Sequence, residues 1–91
     1  MLQFIWDRAK AAANLRKHGV DFEAATAFGD PLSITIPDPD HSAAEERWLL
    51  VGQSSAGRLL VVAHTERGDE IGLINARPAT RRERDTYEEE Q

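Results

Sequence analysis

The chain has 91 residues, is 41% hydrophobic and 30% charged, and carries a formal net charge of −5. That length and apolar fraction predict one small soluble domain spanning residues 1–91 and exclude two independent domains, and the order of strands and helices below makes it α+β. No run approaches the ~18 apolar residues of a membrane span, there is no secretory pattern at the N-terminus, and no cysteine is present for a disulfide or thiolate zinc site, so a cytoplasmic protein without membrane contact is expected.

Phe4-Ile5-Trp6 reads as a short first strand, and Asp7 stands at the N-cap position of an alanine-rich helix over Arg8–Lys17. Gly19 suits the left-handed ending of that helix, with Val20 and Leu15 placed for the hydrophobic contact of a Schellman motif. Asp21 caps a second short helix, Phe22–Phe28, closed by Gly29-Asp30-Pro31. Leu32–Ile36 alternates apolar and hydroxyl side chains, the pattern of an edge strand. Pro37–Ser42 is a loop, since its prolines cannot feed a sheet ladder. Arg47–Gln53, Arg58–Thr65 and Glu70–Ala76 follow as a three-strand meander joined through Ser54–Gly57 and Glu66–Asp69. The middle strand is apolar at every position from Leu59 to Ala63, which places it at the sheet centre. Thr80 and Glu83 have capping-box spacing, so a last helix starts at Arg81 and runs to about Glu89.

The acidic total conceals a segregated charge. Residues 31–46 are purely acidic and the C-terminal tail is acidic again, while residues 47–84 hold arginines 47, 58, 67, 77, 81, 82 and 84 and are net positive. Nine of the eleven basic residues are arginine, whose planar fork matches phosphate oxygens. Four-residue hairpin loops would set Arg47 opposite His64 and Arg58 opposite Arg77, all on one face with Leu49, Val51, Leu60, Val62, Ile71 and Leu73. Like charges so opposed need an anion or a carboxylate between them; arginine heads spreading into solvent is the other reading.

His64, beside Thr65 and Arg67, is expected as a neutral imidazole able to act as a base, with a hydrogen-bonded strand-end histidine as the alternative. His18 ends a helix, where a cation suits the dipole, and His41 lies in the proline loop. The three histidines show no ligand spacing, so neither a metal nor another cofactor is expected, and no phosphate-binding glycine loop is present. The arginine-crowded start of the last helix, Arg81 and Arg82, is a candidate anion site.

An ordered set of short motifs runs nearly end to end: Phe4-Ile5-Trp6-Asp7, Asn14 through Lys17-His18-Gly19-Val20, Phe22-Glu23, Asp30-Pro31, Glu45-Glu46-Arg47, His64-Thr65-Glu66-Arg67, Ala76-Arg77, and Arg82-Glu83-Arg84 through Tyr87. In these the chain resembles BrnT-type toxins of bacterial type II toxin-antitoxin systems. The resemblance implies a RelE-like fold, ribonuclease activity and a BrnA-type ribbon-helix-helix antitoxin, with operator DNA met only through that antitoxin. It points to His64, Arg67, Arg77 and Arg47 as catalytic groups. Arg58, Arg81, Arg82 and Lys17 complete the set expected to bind RNA. One departure stands out: where the family commonly reads Arg-Ile-Ile-Ser-Ala-Arg, this chain has Gly72-Leu73-Ile74-Asn75-Ala76-Arg77, one cation fewer.

The leading expectation is metal-independent RNA cleavage that inhibits translation and growth, with His64 moving a proton and the arginines stabilising charge on phosphorus. The alternative is a non-enzymatic, protein-binding subunit whose arginine face takes an acidic partner. A direct DNA-binding module is disfavoured by the acidic total and the lack of a recognition helix.

Overall fold

A computed structural model describes residues 1–38, 40 and 45–91. Pro39, His41 and Ser42 of the proline loop lie outside the described residues. The elements are β1 (Gln3–Ile5), α1 (Arg8–His18), α2 (Glu23–Thr26) running into a 3₁₀ turn (Ala27–Gly29), β2 (Ile34–Pro37), β3 (Trp48–Gln53), β4 (Leu59–Arg67), β5 (Glu70–Pro78) and α3 (Arg81–Glu89). They build the expected α+β architecture. The sheet order is β1-β5-β4-β3-β2, with β1 parallel to β5 and the other pairs antiparallel, so the apolar strand is central and the alternating one is an edge.

Local chemistry accounts for the boundaries. Asp7 accepts the Lys10 N–H at 3.0 Å and starts α1. Gly19, at φ 71°, ends α1 by donating its N–H to the Leu15 carbonyl. That is the simpler left-handed ending; Val20 turns into the core while Leu15 stays exposed. Trp6, expected as the last residue of the first strand, instead leaves it and is buried in the core. The expected second helix tightens after one turn into 3₁₀ geometry. Thr80 and Glu83 form the full capping box of α3.

One face of the sheet packs Leu50, Leu60, Val62, Ile71 and Leu73 against α1 and α2 residues including Ala11 and Ala24. The other face gathers Leu49, Val51, Val61 and Ile34 beneath Tyr87 of α3. These clusters leave the β4–β5 end of the second face open to solvent, and the charged groups lie there.

The two hairpin loops are not four residues long. Gln53 pairs with Leu59, giving a five-residue loop with Gly57 at φ 80°, whereas Arg67 pairs with Glu70 across a two-residue Gly68-Asp69 loop with Gly68 at φ 60°. A bulge then shifts the β4–β5 register, leaving Ile74 without a partner between Leu73↔His64 and Asn75↔Ala63. His64 therefore pairs with Trp48, not Arg47, and Arg77 pairs with Val61, far from Arg58. A one-residue slip exchanges the two faces of a strand, so the expected single face carrying Arg47, Arg58, His64 and Arg77 is divided.

Candidate nucleic-acid interface

Odd-numbered residues of β4 face the open side. Arg47, Thr65 and Arg67 line a cleft of about 540 Å³ with Lys10, Glu45, Glu70 and Gly72. Arg47 and Arg77 line an adjoining depression of about 300 Å³ with Asp38, Asp40, Ala63 and Asn75. Arg47 belongs to both hollows and so links Arg67 to Arg77. A slip in register has thus separated the arginines from His64 while bringing three of them to one surface.

Carboxylates of the chain itself hold two of these arginines. Arg67 grips Glu45 in a bidentate pair at 2.5 and 2.8 Å, and Arg77 grips Glu83 at 2.7 Å on both arms. Hydrogen bonding from Arg67 lowers the Glu45 pKa, while Arg77 brings Glu83 down to about 2, helped by its bond from the Thr80 N–H. Both guanidinium pKa values rise, each chiefly through the same hydrogen-bonded pair. A fork shaped for a carboxylate also fits two phosphate oxygens, so this geometry is that of an oxyanion site with an internal occupant.

The other basic residues lie apart from this cleft. Arg58 is on the α1–α2 side, bound to both oxygens of Glu23 and to the Gly19 carbonyl. Arg81 is exposed at the start of α3, and Arg82 borders an apolar groove with Ile34, Ile36 and Tyr87. Lys17 faces a third hollow between α1 and β5.

His64 points into the protein and is 0% exposed, packed edge-on to Phe28 with ring centroids 4.8 Å apart. Its Nδ1 lies 3.1 Å from the Val62 carbonyl and its Nε2 2.9 Å from Glu66. Both nitrogens thus face oxygen atoms, and the tautomer decides which of them donates. The expected base beside two cations is corrected in its surroundings: His64 is buried against an aromatic ring and a carboxylate, the hydrogen-bonded strand histidine of the alternative reading. Among the described residues no group of three or more histidine, aspartate or glutamate side chains converges as metal ligands would.

The carboxylates that receive these forks were not singled out from the sequence. Glu83 was recognised as a cap, but its second role needs the β5–α3 corner, which brings Arg77 to it. Asn14 was likewise seen only within a motif. Its buried amide accepts the Ala76 N–H at 3.0 Å and donates to the carbonyls of Ala76 and Val20, both at 2.8 Å, occupying the β5 edge beyond the end of β1. Asp30, part of the turn reading, accepts hydrogen bonds from Tyr87 Oη and from the Gln53 and Leu32 N–H groups. Burial works against its charge, but those bonds prevail and its pKa falls. An asparagine in an alanine-rich helix and a turn aspartate were the available signals.

A search of curated proteins gave no match. Among solved structures, the chain is similar to the 1.1 Å crystal structure of the Brucella abortus ribonuclease toxin BrnT, with 26% identity, a TM-score of 0.69, and coverage of 89% of this chain and 100% of that one. The family model described as the ribonuclease toxin, BrnT, of type II toxin-antitoxin systems matches residues 6–83, which includes β2 through β5 and the Arg77–Glu83 corner. With that match over most of its length and the BrnT-like fold beneath it, the chain belongs to the BrnT family of ribonuclease toxins of type II toxin-antitoxin systems.

Proposed function

We propose that this toxin cleaves RNA in the cytoplasm without a metal, inhibiting translation and growth, and that Arg47, Arg67 and Arg77 carry the reaction. The observation that supports this reading is their convergence on one open face. In such a reaction the ribose 2′-hydroxyl passes its proton to water as its oxygen bonds to phosphorus, the 5′-oxygen departs and takes a proton from water, and a cyclic phosphate remains. Negative charge grows on the non-bridging oxygens as phosphorus becomes five-coordinate, and guanidinium forks already set for oxyanions stabilise it most at that point. His64 contributes from behind the strand, holding Glu66 rather than touching RNA.

A BrnA-type ribbon-helix-helix antitoxin neutralises the toxin by covering this face, and operator DNA is reached only through it. A second reading, a weakly active homologue serving as a protein-binding subunit, is favoured by Gly72, where the family resemblance implies an arginine, and by the internal carboxylates on Arg67 and Arg77.

The test is cleavage of RNA by the purified chain with and without EDTA, alongside Arg67→Ala and Arg77→Ala. Cleavage should persist in EDTA and fall at least ~10-fold in each variant, the loss typical of removing one oxyanion donor. Loss of activity in EDTA overturns metal independence, unchanged variants overturn the arginine assignment, and no cleavage under any condition favours the protein-binding subunit.

A further inference from the structure

We propose that the groove between α1 and β5 is a track for single-stranded RNA, in which Lys10 and Lys17 hold backbone phosphates flanking the arginine face. This rests on the reading of that face as the cleavage site. The groove encloses about 400 Å³ and is lined by Lys10, Lys17, His18, Ile74, Asn75 and Arg77 together with Ala13 and Asn14; no carboxylate lines it. It is continuous with the site, since Lys10 and Ile74 also line the Arg67 cleft and Asn75 and Arg77 also line the depression beside Arg47.

The groove is built rather than incidental. Residues 10, 14, 17 and 18 share one side of α1, and the buried Asn14 ties that side to the Ala76 backbone through two hydrogen bonds. Lys10 and Lys17 are two turns apart, about 10 Å along the helix, so they project from one rim of the groove at a fixed spacing. On the opposite wall, the bulge at Ile74 turns β5 and sets Asn75 and Arg77 toward the cleft.

Charge divides the work between the two regions. Arg67 and Arg77 are held by Glu45 and Glu83, and a phosphate must exchange with those carboxylates. Among the described residues neither lysine has a carboxylate partner, so a phosphate arriving there displaces only water and counterions. The lysines therefore contribute binding that is equal in ground and transition states, while the paired arginines respond to charge that develops later. The groove offers Ile74 as its one large apolar side chain, which favours a nucleic-acid backbone over a protein segment that would need apolar anchors.

The test measures binding of a short, mixed-sequence single-stranded RNA made uncleavable by 2′-O-methyl groups. Wild type is compared with Lys10→Ala/Lys17→Ala and with Arg8→Ala/Arg16→Ala, which removes the same charge from α1 positions that do not line the groove. The lysine variant should bind about 10-fold more weakly near 0.1 M salt, and its log–log salt slope should be shallower by about 1.4, or ~0.7 for each lost phosphate contact. With cleavable RNA its KM should rise with kcat unchanged, and the control should stay within about 2-fold of wild type.

Equal losses in the two variants, or wild-type binding by the lysine variant, overturn the track. A lysine variant that keeps its RNA affinity but loses affinity for the antitoxin gives the groove to an acidic peptide and also overturns it. Lysine-dependent binding by a chain that never cuts unmodified RNA would instead defeat the cleavage reading and leave the track standing.

Discussion

Glu83 shows how one side chain serves two purposes. Its carboxylate closes the α3 capping box through the Thr80 N–H and, in the same position, receives the Arg77 fork. Because its pKa is lowered to about 2 from an ordinary 4.5, the folded state favours the charged form. The stabilisation is fully present above the unfolded value and is lost as pH falls from about 4.5 through about 2. Thermal melts across that window should show a declining Tm, with a smaller decline in Glu83→Gln; identical acid profiles would refute the linkage. Tyr87 has the opposite sign. Its hydrogen bond to Asp30 raises the phenol to about 12, so this contact persists through neutral pH and is lost only in strong alkali. Glu83 could be recognised as a cap from its spacing to Thr80, but its ion pair with Arg77 could not, since that contact depends on the angle between a strand and the helix after it.

Among the elements, β5 carries the most functional consequence because its two edges and two faces have different partners. β1 covers its outer edge only from Glu70 to Gly72, after which Asn14 takes over at Ala76, and between them the bulge opens the edge to the cleft. Gly72 lies at that transition, where an added Cβ would stand 2.6 Å from Thr65 Oγ1. A side chain therefore requires Thr65 to change its χ1 rotamer, a local adjustment of a β-branched side chain that leaves the backbone in place. Gly72→Arg is expected to add a cation between Lys10 and Arg67 and to raise RNA cleavage several-fold, with only a few degrees of change in Tm. Single-turnover rates and melts measure both, and a folded variant with unchanged or lower activity would show that the missing cation does not limit this toxin. The short second helix was legible only as a helical segment: it tightens to 3₁₀ geometry just before the Asp30 turn, whose side-chain hydrogen bonds reach Leu32 within the turn, Gln53 at the end of β3 and Tyr87 of α3.

Over the whole molecule, the groove between α1 and β5 has a basic lining on an acidic protein, a distribution that steers anions to the rim of the open face. An antitoxin covering Arg47, Arg67 and Arg77 should exclude RNA, and its association should slow with salt more than its dissociation quickens. Competition between antitoxin and methylated RNA, read by stopped-flow at several salt concentrations, tests this; simultaneous binding of both would place neutralisation on another surface. The sequence alone was sufficient for the α+β class, the central strand, the Asp7 and Thr80 caps, the Gly19 ending and the family, because caps, glycines, alternation and motif order act over a few residues. Which side chains share a face was decided by the tertiary structure. Side-chain direction alternates with every residue, so one extra residue in the β3–β4 loop and one bulged residue in β5 moved His64 into the core and brought Arg47, Arg67 and Arg77 together outside it. Those two insertions are set by the packing of both sheet faces against the helices, which no short stretch of the chain encodes.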